Sequence, residues 1–166
     1  MSSWGTDGWA VAPGDGVRVE PGGNHGLEVM VFGKDVGGAL GVFVFDHDVI
    51  VDNPPHAHHG FMKIIYIAKG HYDFRVGDAT FSAGPGTVVV VPQGSYHSFT
   101  TSTGGQALFV SLPAGNEELF LEMGKLGPHP TPEQLADLNA RFQTTGLGDE
   151  EASWQQMHSE GAPPKS

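Results

Sequence analysis

The sequence contains no cysteine, which excludes a disulfide framework, a thiolate metal site and a cysteine nucleophile. Any metal must therefore be held by nitrogen and oxygen. Positive charge is scarce as well: 8 Lys and Arg stand against 19 Asp and Glu, a formal net charge of -11. Such a surface repels a phosphate backbone, so nucleic acid is not expected as a partner. No apolar run approaches the roughly 20 residues needed to span a bilayer. Met1 to Pro13 also lacks the basic, apolar, then small-residue order of a secretion signal. These absences point to a cytoplasmic protein with no membrane partner.

What is present is turn chemistry between short apolar runs. The 166 residues, with 25 Gly and 12 Pro, suit one domain built of many tight turns and short strands. Leu27 to Phe32 and Ala39 to Phe45 read as strands rich in β-branched and aromatic residues. Asn53, Pro54 and Pro55 are expected to stop any strand. Phe61 to Ala68 and His71 to Val76, joined at Gly70, read as a hairpin, and Ala79 to Ser82 as a short strand. Thr87 to Val91, nearly pure Val, reads as a buried strand. His97 to Thr101 and Gln106 to Leu112 complete a series of about eight, the spacing expected of a sandwich or barrel.

Helical character comes only after the strands. Asn116 is placed to cap a segment over Glu117 to Met123. Thr131, Pro132 and Gln134 carry the pattern of a capping box ahead of a helix to about Gln143, with Leu135, Leu138 and Phe142 at helical spacing. The organisation thus reads as a flexible segment over 1–20, a barrel over 21–113, a helical tail over 114–147 and a flexible end over 148–166. The tail is expected to cross the open end or the outer face of the barrel.

The chemistry is concentrated in two places. His56 and His58, two apart in an extended segment, point to one face and can chelate one ion. Far along the chain, a strand is broken by Pro92, Gln93 and Gly94, and His97 begins the next strand. Three imidazoles meeting in an apolar interior suit Fe, Ni, Mn, Co, Cu or Zn and leave positions open for substrate or water.

These two segments resemble the paired signature motifs of the cupin superfamily. The second motif is matched from Gly86 through Pro92 and Gly94 to His97, with Thr101 in place of its final Asn; His56, His58 and Gly70 match the first. The resemblance implies an all-β double-stranded helix, or jelly-roll barrel, with a short C-terminal helical extension. It also places Lys63 where the family's metal-binding Glu stands. Two unit charges about 4 Å apart interact by roughly 4 kcal/mol at an effective dielectric of 20, so an ammonium beside a divalent cation is unfavourable unless compensated. Three outcomes are open: Lys63 swings aside from a three-histidine metal, it loses its proton and acts as a general base, or the metal is absent and the histidines with Lys63 bind an anionic or enolic substrate.

Within the superfamily, the barrel and the tail from Pro113 to Leu135 are similar to single-domain cupins of the quercetin dioxygenase-like group. That similarity implies a metal-dependent, dioxygenase-like enzyme on a planar aromatic or enolic metabolite, flavonol or polyketide-like, and a homodimer formed through an N-terminal strand. The alternatives are a non-redox cyclase or isomerase and a binding module that does not transform its ligand. The run from Leu27 to Phe32 is read as the exposed strand that a dimer would use. His59 is read as facing away from the site, His47 as an exposed loop residue, and His25, His71, His129 and His158 as having no site role. Tyr66, Phe74, Tyr96 and Phe99 read as packing residues.

Overall fold

Alternation of more and less buried side chains, clearest over Gly26–Val31, Gly41–His47, Met62–Gly70, Val88–Val91 and Gly105–Leu112, builds two antiparallel sheets that face each other across one interior. The computed structural model describes residues 7–20, 26–47, 51–127 and 129–147. The expectations for residues 1–6 and 148–166, and those for His25 and His158, fall outside that range. The strands are β1 (Val17–Val19), β2 (Gly26–Val31), β3 (Gly41–His47), β4 (Val51–His58), β5 (Met62–Gly70), β6 (Tyr72–Val76), β7 (Ala79–Ala83), β8 (Val88–Val91), β9 (His97–Thr101), β10 (Gly105–Leu112) and β11 (Thr144–Thr145). Two helices, α1 (Asn116–Leu126) and α2 (Pro132–Phe142), lie between the last two strands. One sheet runs β1-β2-β3-β10-β5-β8 and the other β11-β4-β9-β6-β7. The all-β architecture with a C-terminal helical extension is therefore present.

The interior is aromatic at its centre. Phe43 stacks on Phe109 with ring centroids 5.4 Å apart, and Phe45 meets Phe109 edge-on at 4.9 Å. Both phenylalanines of β3 are inward because period-two alternation puts residues 43, 45 and 47 on one face. The same alternation on β5 makes Lys63 share the buried face of Ile65 and Ile67.

Several local readings are corrected. β5 and β6 do not form a hairpin: β5 pairs with β10 and β8, β6 with β7 and β9. Gly70, at φ +79°, turns the chain from one sheet to the other, and a Cβ there would lie 2.2 Å from the Gly104 carbonyl oxygen. The prolines at 54 and 55 do not stop β4, because the ladder with β9 slips between Asn53 and His56, and such an irregularity tolerates residues that cannot donate. The valine run alternates: Val88 and Val90 lie on the outer face of the sheet with Tyr66 of β5 and are exposed, and only Val89 and Val91 are buried.

At the N-terminal end, β1 lies inside the stretch read as flexible, since two valines alternating with Arg18 are too few to stand out in sequence yet pair fully with β2. That pairing makes β2 an internal strand, with Leu27 and Val29 fully buried, so the run read as exposed is not. In the tail, Gly115 rather than Asn116 is the N-cap of α1, while the capping box of Thr131 and Gln134 on α2 is present as expected. Glu117 fastens the start of α1 to the turn between β2 and β3 by accepting from Gly33 N at 2.8 Å, and it also accepts from Gly115 N at 2.9 Å. Gly41 leaves it room, for a Cβ there would lie 2.1 Å from Glu117 Oε2.

Candidate metal and ligand site

The ladder between β4 and β9 sets His56 directly opposite His97, and His58, two residues on, points to the same side. The ring centroids lie 4.3 Å (56 to 97), 4.8 Å (56 to 58) and 5.5 Å (58 to 97) apart. One ligand nitrogen from each ring falls within 4.8 Å of the others, and all three residues are buried. The three histidines singled out in the sequence are thus brought together. The ring of His58 also stacks on Phe61 at 4.6 Å, which fixes its plane.

Protons are placed by the neighbours. His97 Nδ1 lies 3.0 Å from the Ser95 carbonyl oxygen, an atom that can only accept, so Nδ1 carries the hydrogen and Nε2 presents its lone pair to the interior. Burial, then His56 and Lys63, hold the His97 ring well below its ordinary value against the opposing pull of Ser95. Burial, then Lys63 and the neighbouring rings, do the same to His58. Both rings are therefore neutral at neutral pH, the form that coordinates a metal.

Lys63 reaches the same place from β5. Its side chain is buried, and Nζ lies 3.3 Å from His97 Nε2. Burial pushes the ammonium down to about 7. One lone pair on His97 Nε2 faces two claimants, Lys63 and a cation, and serves one at a time.

The donor set fits a transition metal. Among the described residues, both ring nitrogens of His58 are buried without a hydrogen-bond partner, a costly state for polar atoms unless a ligand occupies one of them. Neutral imidazoles in a pocket free of thiolate suit the borderline ions named above.

The three rings and Lys63 open onto a cavity of about 190 Å³. Phe45, Ile65, Phe99 and Phe109 line its barrel side, and Asn53 is also part of its lining. Leu119, Phe120 and Met123 of α1, Leu135 of α2 and Leu147 close it. The tail thus crosses the open end and forms a wall of the site. It is strapped to the strand that carries the histidines: β11 pairs Thr144 with His58 and Thr145 with Ala57, and the His59 N–H donates to the Gln143 carbonyl at 2.7 Å. His59 itself is exposed, turned away from the cavity as expected, with Nε2 3.1 Å from Thr145 Oγ1.

Other expectations fare differently. His47 is not an exposed loop residue: it ends β3 on the buried face, Nδ1 lying 2.9 Å from the Tyr72 hydroxyl. His71 and His129 are exposed and line no part of the cavity. Thr101, in place of the motif's Asn, donates to the Gly104 carbonyl at 3.2 Å and closes the turn into β10. Sequence reasoning missed Asn53 and the lid residues. Spacing of Leu119, Phe120 and Met123 in α1 signals an apolar face without saying what it covers, and nothing in one dimension predicts where Asn53 points.

Comparison with known proteins bears on the fold. The family model described as AraC-like ligand binding domain matches residues 42–142. No curated protein matches the sequence. Among solved structures, an RmlC-like cupin from Shewanella frigidimarina is similar at 19% identity and a TM-score of 0.55, over 62% of this chain and 88% of that one. The polyketide cyclase RemF from Streptomyces resistomycificus is similar at 23% identity and 0.55, over 64% and 80%. KdgF from Halomonas sp. is similar at 17% identity and 0.56, over 68% and 99%. The cupin-type fold implied by the two motifs is thereby borne out.

Proposed function

Since the chain belongs to the AraC-like ligand binding domain family, we propose that its cavity takes a small organic ligand, and that the histidine cluster with Lys63 makes it a metal-dependent enzyme on a planar aromatic or enolic metabolite. The observation that carries this reading is the convergence of three imidazole nitrogens within 4.8 Å of one another, beside a buried lysine, at the floor of an apolar cavity.

In this reading His56, His58 and His97 hold a divalent transition metal, and such an ion supplies Lewis-acid polarisation of a substrate oxygen. Ser95 keeps the His97 lone pair aimed inward. Lys63, released from His97 Nε2, pairs with negative charge developing on that oxygen or passes a proton to or from the adjacent carbon. The lid of α1 and α2 excludes water, which strengthens both interactions.

The non-redox form of this chemistry, a cyclization or isomerisation of an enolic compound, is favoured by an amine where a carboxylate ligand is usual in cupins. The similar fold of RemF, a polyketide cyclase, agrees with it. The dioxygenase-like form is the second reading, favoured by a three-nitrogen donor set that leaves coordination positions open. Elemental analysis of the purified protein, followed by assays of planar aromatic and enolic compounds from single-ring phenols to flavonols and aromatic polyketides, with and without oxygen, tests the proposal. Anaerobic turnover supports the non-redox form, oxygen-dependent turnover the dioxygenase form. Tight ligand binding with no product under any metal or gas condition overturns catalysis. The homodimer is part of the same proposal and is read out by light scattering.

A further inference from the structure

Asn53 and His56 are three residues apart on β4, a spacing that in a regular strand puts side chains on opposite faces. Here both reach the same cavity. The cause is the slip in the ladder: Asn53 is opposite Phe99 and His56 opposite His97, so three steps on β4 match two on β9. Bulges of this kind re-aim side chains beside active sites. The segment absorbing the extra residue is the proline pair at 54 and 55.

The re-aimed amide is chemically incomplete. Asn53 Oδ1 is buried and has no hydrogen-bond partner among the described residues. Around it the barrel side of the cavity is apolar, formed by Phe45, Ile65, Phe99 and Phe109. The polar groups of the cavity therefore fall in two places, the cluster of His56, His58, His97 and Lys63 and the Asn53 amide. Two residues of β9 separate their ladder positions, a rise of about 7 Å. That is the span of one substituted six-membered ring. Size points the same way: about 190 Å³ is little more than the roughly 150 Å³ that accommodates benzene, and below the 300 Å³ or more typical of sites for larger ligands.

We propose that Asn53 is a specificity-determining residue of this cavity, and that the ligand it selects is a single-ring compound with a hydroxyl on the side remote from the oxygen that faces the histidines. The inference rests on the reading of the cavity as a ligand site and names the class of ligand. A hydroxyl donating to Oδ1 satisfies the amide, whereas a ring without it leaves a buried acceptor unpaired, which is how a polar pocket rejects the lesser analogue.

Calorimetric titration of the full-length protein as purified, with benzoate, para-hydroxybenzoate and quercetin as probes, tests this. The expected result is that para-hydroxybenzoate binds about tenfold or more tighter than benzoate, and that the ratio collapses towards one in Asn53→Leu. Equal affinities in the wild type, or a ratio that survives in Asn53→Leu, overturn the role of Asn53. The wild-type comparison stands alone should the variant not fold. Quercetin binding where neither single ring binds overturns the size class and leaves the cavity reading intact. Binding of none of the three removes both.

Discussion

Two buried histidines, His47 and His97, sit in one barrel interior and have opposite fates. His47 stacks on Phe45 with centroids 5.2 Å apart and has its Nδ1 on the Tyr72 hydroxyl. Burial, then Asp46, push that hydroxyl up to about 12, so it stays protonated. His97 has its Nδ1 on a backbone carbonyl, and its Nε2 looks into open space beside two more imidazoles and an amine. Burial alone does not make a ligand. The aromatic region around His47 is filled by Phe43, Phe45 and Phe99, whereas the region around His97 keeps a cavity and polar atoms without partners. The first region carries stability and the second carries chemistry at some expense of it.

That contrast is sharpest at Lys63. Its pKa in the fold, about 7, lies below the ordinary 10.5, so folding between those pH values releases a proton. The destabilisation is fully present below about pH 7 and fades as the pH rises towards 10.5. At about 1.36 kcal/mol per pH unit the effect is at most about 5 kcal/mol. In metal-stripped protein Lys63→Met should therefore raise the midpoint of urea unfolding, and more at pH 6 than at pH 9. A loss of stability at both would mean that the amine belongs to the scaffold. Next in size, Phe43→Ala in the filled region should cost about 3 to 5 kcal/mol in the same measurement while leaving metal affinity unchanged.

Metal binding sharpens the comparison from the other side. His58→Ala should weaken zinc or nickel binding, followed by competition with a chelator, by about a hundredfold or more, and His47→Gln should leave it unmoved. Equal losses in both would erase the distinction between the two regions. Lys63→Met should tighten the metal by about tenfold, because the competitor for the His97 lone pair is gone. The smallest effect is expected at Tyr72→Phe, about 1 kcal/mol of stability for one lost hydrogen bond, with ligand binding preserved.

The motif residues were legible because their geometry is local. His56 and His58 need only an extended backbone to share a face, and the Gly and Pro spacing around His97 marks a turn into a strand. Lys63 comes to the site through its place in the motif, and the structure sets it in phase with the buried Ile65 and Ile67. The hairpin at Gly70 was misread because a turn residue reports a change of direction, not which strands pair afterwards. The proline pair was misread because proline forbids a regular ladder and permits an irregular one, and the choice belongs to β9. Four successive valines likewise hide that Val88 and Val90 face solvent, since a run of identical residues carries no alternation to show which face is buried.

From its own residues, then, the chain determined an all-β fold, a helical tail with a capping box, three imidazoles able to meet, and a lysine where a carboxylate ligand is usual in cupins. Those properties follow from side-chain period, turn chemistry and donor type, all of which act over a few residues. Only the tertiary structure decided that the tail lines the cavity, that Asn53 opens onto the same cavity as the histidines, and that His47 is bonded to Tyr72 instead of joining the cluster. Each depends on which distant strand lies alongside, and contacts between remote segments are set by packing of the whole sheet pair, which no short window of sequence contains.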